Sequence, residues 1–310
     1  MLSLLYKIYF LLRKRKFNII ILRKFNSLLC ILIRKIANSY MVINYKMSIS
    51  NKSLGINTSD RRSKNVIVSL TTFPGRIDTV WIAIESLLRQ SYQPDKIILW
   101  LAKEQFENIN MLPKNILEQQ ERGLDIRFCD DLRSHKKYYY AFQEYSQDII
   151  ITVDDDIIYP ENTLEELILL HKKYPEYICC HRGHLIKRNK DKSIAPYSKW
   201  IYNPLDFNGP SKLLCPTGVC GVLYPPDSIN EEIYNKQSIK NLCFYADDLW
   251  LKVMSLKNNT KVVKSTSFPS ELFTINLSQR ESLAKLNVYE NKNDKQLEAI
   301  LNNYKVDLTE

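Results

Sequence analysis

Four short, largely apolar runs at residues 66–70, 97–101, 126–129 and 149–153 constrain this chain more than any other feature. Each is too short for a buried helix and reads as a strand, with 97–101 of the buried type. Helical patterns fill the intervals. Ile77, Val80, Ile84, Leu87 and Leu88 fall on one helical face, which ends near Gln93-Pro94. A second helix is expected after Pro113 and a third over about 136–146. Asn162, with Glu165 three residues on, has the form of a capping box opening a fourth. Alternation of this kind predicts an α/β domain with a mostly parallel central sheet flanked by helices. Ligands of such sheets bind beyond the carboxyl ends of the strands. That rule directs attention to residues 71–76, 130–137 and 154–156.

The net charge of +10 is unevenly placed. Residues 1–59 hold eleven Lys or Arg and no acid, whereas the remaining 251 residues hold 33 basic and 34 acidic groups. A nucleic-acid-binding domain carries its positive field on the folded face that grips phosphate. Here the body is nearly neutral, so no nucleic-acid partner is expected. Within the arm, Met1, Leu4, Leu5, Ile8, Leu11 and Leu12 share one helical face, and Phe25, Leu28, Leu29, Leu32 and Ile36 share another. Basic pairs and runs interrupt both, so no window offers the ~20 mostly apolar residues of a membrane span. Nor does a small-residue cleavage site follow. An N-terminal amphipathic helical arm lying on an anionic membrane surface through residues 1–48 is the expectation, against a self-packed hairpin as the plainer reading. The organisation that follows is a basic arm and linker over 1–59, a catalytic domain over 60–265 with a nucleotide-binding half (60–180) and an acceptor half (181–265), and a C-terminal segment over 266–310 with a helix near its end.

Seven cysteines, an odd number without a CxxC pair, argue against a disulfide framework or zinc site and for a reducing, cytoplasmic setting. From residue 181 onward loops and short strands predominate, followed by a helix at 245–257 and a strand at 261–264.

The sharpest chemical signal is the run Thr152-Val153-Asp154-Asp155-Asp156 at the end of the last strand of the alternating series. Three successive carboxylates repel one another, and a hard divalent cation such as Mn2+ or Mg2+ relieves the repulsion by taking one or two of them with phosphate oxygens and water. In extended backbone Asp154 and Asp156 point the same way. A solvated acidic turn is the plainer alternative. The second signal is Asp247-Asp248 at a helix start, where acids often act only as caps. Together the two clusters read as a metal site and a separate base that deprotonates an attacking hydroxyl.

With these motifs in view, residues 64–265 resemble the GT-A-fold nucleotide-diphospho-sugar transferases, in particular family 2-type bacterial glycosyltransferases. The marks are SLTTFPGRI after the first strand, the DXD motif in TVDDD, the loop PTGVCGVLYPP and the acidic pair in ADDLWL. The resemblance implies inverting transfer from a nucleoside-diphosphate sugar, with Asp156 as metal ligand and Asp154 holding the ribose or a metal-bound water. Asp155 belongs to the same nucleotide-binding motif. Asp248 would be the base and Asp247 its acidic neighbour. Thr71, Arg76 and Lys137 would hold the nucleotide, and Gly218 and Gly221 would let backbone approach the donor sugar or acceptor. Asp247 stands where the family more often has Glu, which leaves open which of the pair is the base. There is no His after His184 to complete a metal shell. The Gln- and Arg-rich motif and membrane spans of processive synthases are absent too, so addition of one sugar at a time is expected. A glycan or lipid-linked acceptor at the inner face of the cell membrane follows, in capsule, lipopolysaccharide or another surface polysaccharide.

Other conspicuous residues have structural alternatives. His135-Lys136-Lys137 reads as a phosphate site or a solvated helix start, and His181 and His184 have metal-like spacing without a nearby third ligand. Tyr138, Tyr139, Tyr140 and Trp200 could stack on a base or sugar or serve the core. A nucleotidyltransferase is disfavoured because the loop after the first strand has one Gly and one Arg rather than a Gly-rich basic cradle. A non-enzymatic membrane-surface adaptor would bind no nucleotide with a divalent ion.

Overall fold

A computed structural model describes residues 2–15, 19–48, 53–59, 61–269, 271–276, 292–306 and 308–309. The four runs form β1 (Val66–Thr71), β2 (Lys96–Ala102), β3 (Leu124–Cys129) and β4 (Ile149–Thr152), separated by α3 (Ile77–Leu87), α4 (Lys114–Gln120) and α5 (Lys136–Glu144). After β4 come β5 (Ile157–Ile158), α6 (Thr163–Lys173), β6 (Ile178–Cys180), β7 (Gly183–Leu185), β8 (Leu214–Pro216) and β9 (Val222–Tyr224). Helices α7 (Lys236–Leu242) and α8 (Asp247–Lys257), strands β10 (Val262–Lys264) and β11 (Phe273–Thr274), and helix α9 (Lys292–Asn303) complete the body. Residues 277–291 of the expected C-terminal segment lie outside the described residues.

The central sheet has seven strands in the order β10-β6-β9-β4-β1-β2-β3. Every pairing is parallel except those of β9, which runs antiparallel to both β4 and β6. The chain moves outward from β1 to β3 and then returns to place β4 on the other side of β1, so the topological switch point lies between β1 and β4. Val66, Val68 and Leu70 of β1 pack in one apolar layer with α3, α6 and the N-terminal helices. Ile67 faces the opposite layer, with α5, α8 and α9. Both faces are covered, which is why these strands read as continuous apolar runs.

The arm folds as two helices, α1 (Leu2–Lys14) and α2 (Ile20–Ser48), packed on the body through Tyr6, Tyr9, Ala37, Met41 and Tyr45. The stretch read as a linker is pinned in place. Gly55 N donates to Arg122 O at 2.9 Å, and a Cβ on Gly55 would come within 2.5 Å of Leu88 O. The capping box does not form. Asn162 has φ −96° and ψ 13° and caps nothing with its side chain, while Glu165 accepts from Ser91 Oγ. All seven cysteines are buried, and none forms a disulfide among the described residues. No helix among the described residues is long and apolar enough to cross a membrane.

Candidate active site at the switch point

The carboxyl ends of β1 and β4 bring residues 71–76 and 154–156 together. The backbone expected to stay extended here instead turns at Asp155-Asp156 after β4 ends at Thr152, and the turn sorts the three aspartates. Asp155 turns inward and is buried, accepting from Thr72 Oγ1 at 2.6 Å and from Arg76 Nη1 at 2.5 Å. Asp154 and Asp156 keep more of their side chains accessible, 25% and 14%. Arg76 spans the loop, since its Nη2 lies 3.1 Å from Asp156 Oδ2. Tyr159 OH sits behind Asp154 and accepts from its N–H at 2.8 Å. Thr71 serves the sheet edge instead, donating from Oγ1 to Trp100 O at 2.8 Å.

The second acidic pair reaches the same place from the other layer. Asp247 and Asp248 open α8 without capping it, since Ala246 occupies the N-cap and no side chain bonds the free amides. Lys137, from the first turn of α5, joins the two clusters. Its Nζ donates to Asp154 Oδ1 at 2.8 Å and lies 2.8 Å from Asp247 Oδ2. Only 6% of this lysine side chain is exposed, and Ser69 Oγ on β1 fixes the helix by donating to Lys137 O. Gly218, in a 3₁₀ turn at Gly218–Cys220, closes the arrangement. Its N–H donates to Asp248 Oδ1 at 3.2 Å, and a Cβ there would come within 2.9 Å of Asp154 Oδ1 and 3.0 Å of Lys137 Nζ. Gly221 has a different task. At φ +91° it turns the chain into β9 and faces Leu167, Val153 and Thr163 rather than the acids.

Lys137 and the fold divide the acidic pair. Burial raises the proton affinity of Asp247, but Lys137 and His135 outweigh it and hold the carboxyl below its ordinary value. Asp248 is pushed up to about 7 by burial, then by the charges of Asp247 and Asp154, with a backbone N–H as its partner. Asp247 is buried, while Asp248 is partly exposed. The arrangement therefore holds a fixed anion beside a reachable carboxylate poised to exchange a proton near neutrality.

The remaining candidates are structural. His135 is buried between Tyr138 OH (2.7 Å from Nδ1) and Cys243 O (2.8 Å from Nε2). Lys136 pairs with Asp131 at 2.8 Å, so this lysine pair is no solvated helix start. His181 faces Thr163 O at 3.0 Å and stacks on Phe268, while His184 accepts from Asn203 N at 3.1 Å. The two do not share a ligand site. Tyr138, Tyr139 and Trp200 belong to the core. Sequence reading missed Thr72, Ser69 and Tyr159. Only Thr72 carried a signal, as the next hydroxyl after the strand end.

A divalent ion of the Mg2+ or Mn2+ kind fits this donor set. The described residues contain no group of three or more His, Cys, Asp or Glu arranged to hold a metal, so the protein supplies at most two carboxylates here. Such ions are commonly held in that way, with phosphate and water completing the shell. Five carboxylates converge on two protein cations, Arg76 and Lys137, which leaves an excess of negative charge for a cation to meet.

No family model matches the chain. No curated protein matches it either. Among solved structures it is similar to the mannosyltransferase PcManGT from Pyrobaculum calidifontis in complex with GDP-Man and Mn2+, with a TM-score of 0.49 and 10% identity over 89% of this chain and 76% of that one. It is also similar to residues 1–349 of S. aureus TarS, with a TM-score of 0.40 and 12% identity, covering 66% of this chain and 58% of that one.

Proposed function

We propose that this chain is a metal-dependent, inverting glycosyltransferase that moves a sugar from a nucleoside-diphosphate donor to a glycan or lipid-linked acceptor. The observation that carries the reading is the joining of two acidic clusters at the switch point by one buried lysine, 2.8 Å from Asp154 and from Asp247. A strand-end carboxylate loop suits a cation and diphosphate, and a second acid across the cleft suits a hydroxyl nucleophile.

In this reading Asp156 and Asp154 would hold the Mn2+ or Mg2+, which would supply neutralisation of the departing diphosphate. Asp155 anchors the loop through Thr72 and Arg76. Asp248 takes the acceptor's proton as its oxygen attacks the anomeric carbon and the bond to the diphosphate breaks. Asp247 stays ionised against Lys137, so the proton goes to Asp248. Lys137 acts by fixing both clusters rather than by gripping the nucleotide. Gly218 lets the backbone come close to Asp154 and Lys137 and supplies the N–H that orients Asp248. Arg76 is committed to carboxylates, which disfavours a triphosphate cradle and hence a nucleotidyltransferase. The basic N-terminal helices support attachment at the inner face of a cell membrane, and with it a role in surface polysaccharide synthesis such as capsule or lipopolysaccharide.

Thermal shift with UDP and GDP, each with and without Mn2+, tests the donor site, and a panel of sugar nucleotides then identifies the donor. Stabilisation by a nucleoside diphosphate only with the metal is expected. No metal-linked stabilisation by any nucleoside diphosphate would overturn the reading.

A further inference from the structure

Among the described residues, exposed large apolar side chains concentrate on the outward face of the N-terminal helices. Of the twenty large apolar residues exposed among the described residues, fourteen lie between Leu4 and Met47. They fall in helical stripes, Leu4, Ile8 and Leu11 on α1 and Phe25, Leu28 and Leu32 on α2, opposite the positions that pack on the body. Soluble monomers do not leave so large a patch open without a partner. Lys7, Arg23, Lys24, Lys35 and Lys46 are exposed on the same two helices, and residues 1–59 contain no acid. This combination fits the headgroup layer of an anionic bilayer, where apolar side chains sink and basic ones meet phosphate. A second copy fits poorly, since it would set one acid-free basic face against another.

The inward face of the hairpin leads to the acidic loop. Tyr6 OH donates to Ile158 O at 2.5 Å and accepts from Phe273 N at 2.9 Å, and its ring stacks on Phe273 at 4.0 Å. Asn38 and Arg34 of α2 hold Thr274, with Asn38 Nδ2 donating to Thr274 O at 3.1 Å and Arg34 Nη2 to Thr274 Oγ1 at 2.5 Å. Strand β11 pairs with β5, which follows Asp156 directly, and Ile275 N donates to Asp156 O at 2.7 Å. Two residues of β11 therefore splint both helices of the hairpin to the backbone of the loop.

We propose that the outward face of the α1–α2 hairpin docks on an anionic bilayer and that β11 carries this docking to the Asp154–Asp156 loop, ordering it when the protein is membrane-bound. The functional meaning of that loop rests on the donor-site reading above. Docking and ordering are measured without nucleotide, so their failure is distinguishable from failure of that reading.

The full chain is tested by co-sedimentation with phosphatidylglycerol–phosphatidylcholine vesicles and with phosphatidylcholine alone. Amide hydrogen exchange is then followed on the vesicle-bound protein. Binding that needs the anionic lipid and weakens with salt is expected. Leu28→Glu with Leu32→Glu, both at exposed positions, should lower vesicle affinity by about tenfold or more while leaving Tm unchanged. Amides 154–158 and 273–276 should exchange more slowly on vesicles, by on the order of tenfold. Tyr6→Phe should still bind vesicles but lose that added protection at 154–158. Equal binding by the double variant, or a dimer abolished by it without vesicle binding, overturns the docking. Unchanged exchange on vesicles, or full added protection in Tyr6→Phe, overturns the coupling.

Discussion

Replacing Lys137 by methionine keeps the length and apolar stem of the side chain and deletes one charge. In the parent protein that charge is buried and lies 2.8 Å from two carboxylates. Removing one partner of a buried ion pair costs roughly 3–5 kcal/mol, because the other partner is left uncompensated. Unfolding entropy is about 2 cal/mol/K per residue, so over 310 residues this loss lowers Tm by about 5–8 °C. The pH dependence gives the sharper test. Asp247 is held below its ordinary value in the parent, so its contribution is present above the ordinary carboxylate range and is lost only as pH falls through the depressed value. Asp247 therefore adds nothing to any change in parent stability between pH 5 and 8. In Lys137→Met the carboxyl of Asp247 loses its cation and rises. The destabilisation is then full at pH 8 and shrinks as that carboxyl protonates toward pH 5. Urea unfolding of both proteins across that range, in EDTA, measures the difference. A gap under about 1 kcal/mol, or one that does not change with pH, would refute the claim that Lys137 is the structural cation of the site.

Asp248→Asn should leave donor binding intact and slow transfer by about a hundredfold or more. It should also stabilise the protein by about 1–2 kcal/mol at pH 8, allowing for the partial exposure of the group, because a carboxyl raised to about 7 destabilises the fold once ionised. That gain should vanish near pH 4, and a thermal melt series checks it. Asp156→Asn should abolish Mn2+-dependent stabilisation by nucleoside diphosphate, measured by thermal shift with and without EDTA. Gly218→Ala places a methyl 2.9 Å from Asp154 Oδ1 and should cost about 1–3 kcal/mol by urea unfolding, with loss of transfer. Gly221→Ala forces φ +91° on a residue with a Cβ and should cost about 1–3 kcal/mol without altering nucleotide affinity.

The parallel half of the fold was legible because β1, β2 and β4 are buried on both faces and therefore uniformly apolar, while the helices between them show a 3.6-residue period. Strand β9 was not. Three residues, Val222–Tyr224, enter the centre of the sheet antiparallel, and a run that short carries no periodicity to distinguish it from a loop. The two-residue pair β5–β11 was equally invisible, as it depends on contacts from Tyr6 and Asn38, more than 230 positions from β11. The capping box failed because Asn162 adopts the wrong backbone for a cap, a property that Asn and Glu at matching spacing do not encode. At the site, the acids were conspicuous in sequence, but their partners were not. Lys137 stood out as one cation among several, and nothing local indicates that Lys136 faces Asp131 while Lys137 reaches both Asp154 and the first turn of α8.

The five acids have one chemistry in sequence and three different situations in the fold. The turn that follows β4 sets Asp155 inward, where Thr72 and Arg76 hold it, and leaves Asp154 and Asp156 beside the cleft. The first turn of α8 then presents two carboxylates to a single lysine, which pairs with Asp247 and leaves Asp248 facing a backbone N–H. An amide dipole offsets a carboxylate's charge less than an ammonium ion does, so the uncompensated charge of the cluster accumulates on the residue that solvent can reach. A protein selected only for stability would relieve that charge with one further basic residue. The charge left at Asp248, beside a turn whose glycine lies close against Asp154 and Lys137, is what the proposed function asks of a group that accepts a proton from a bound hydroxyl.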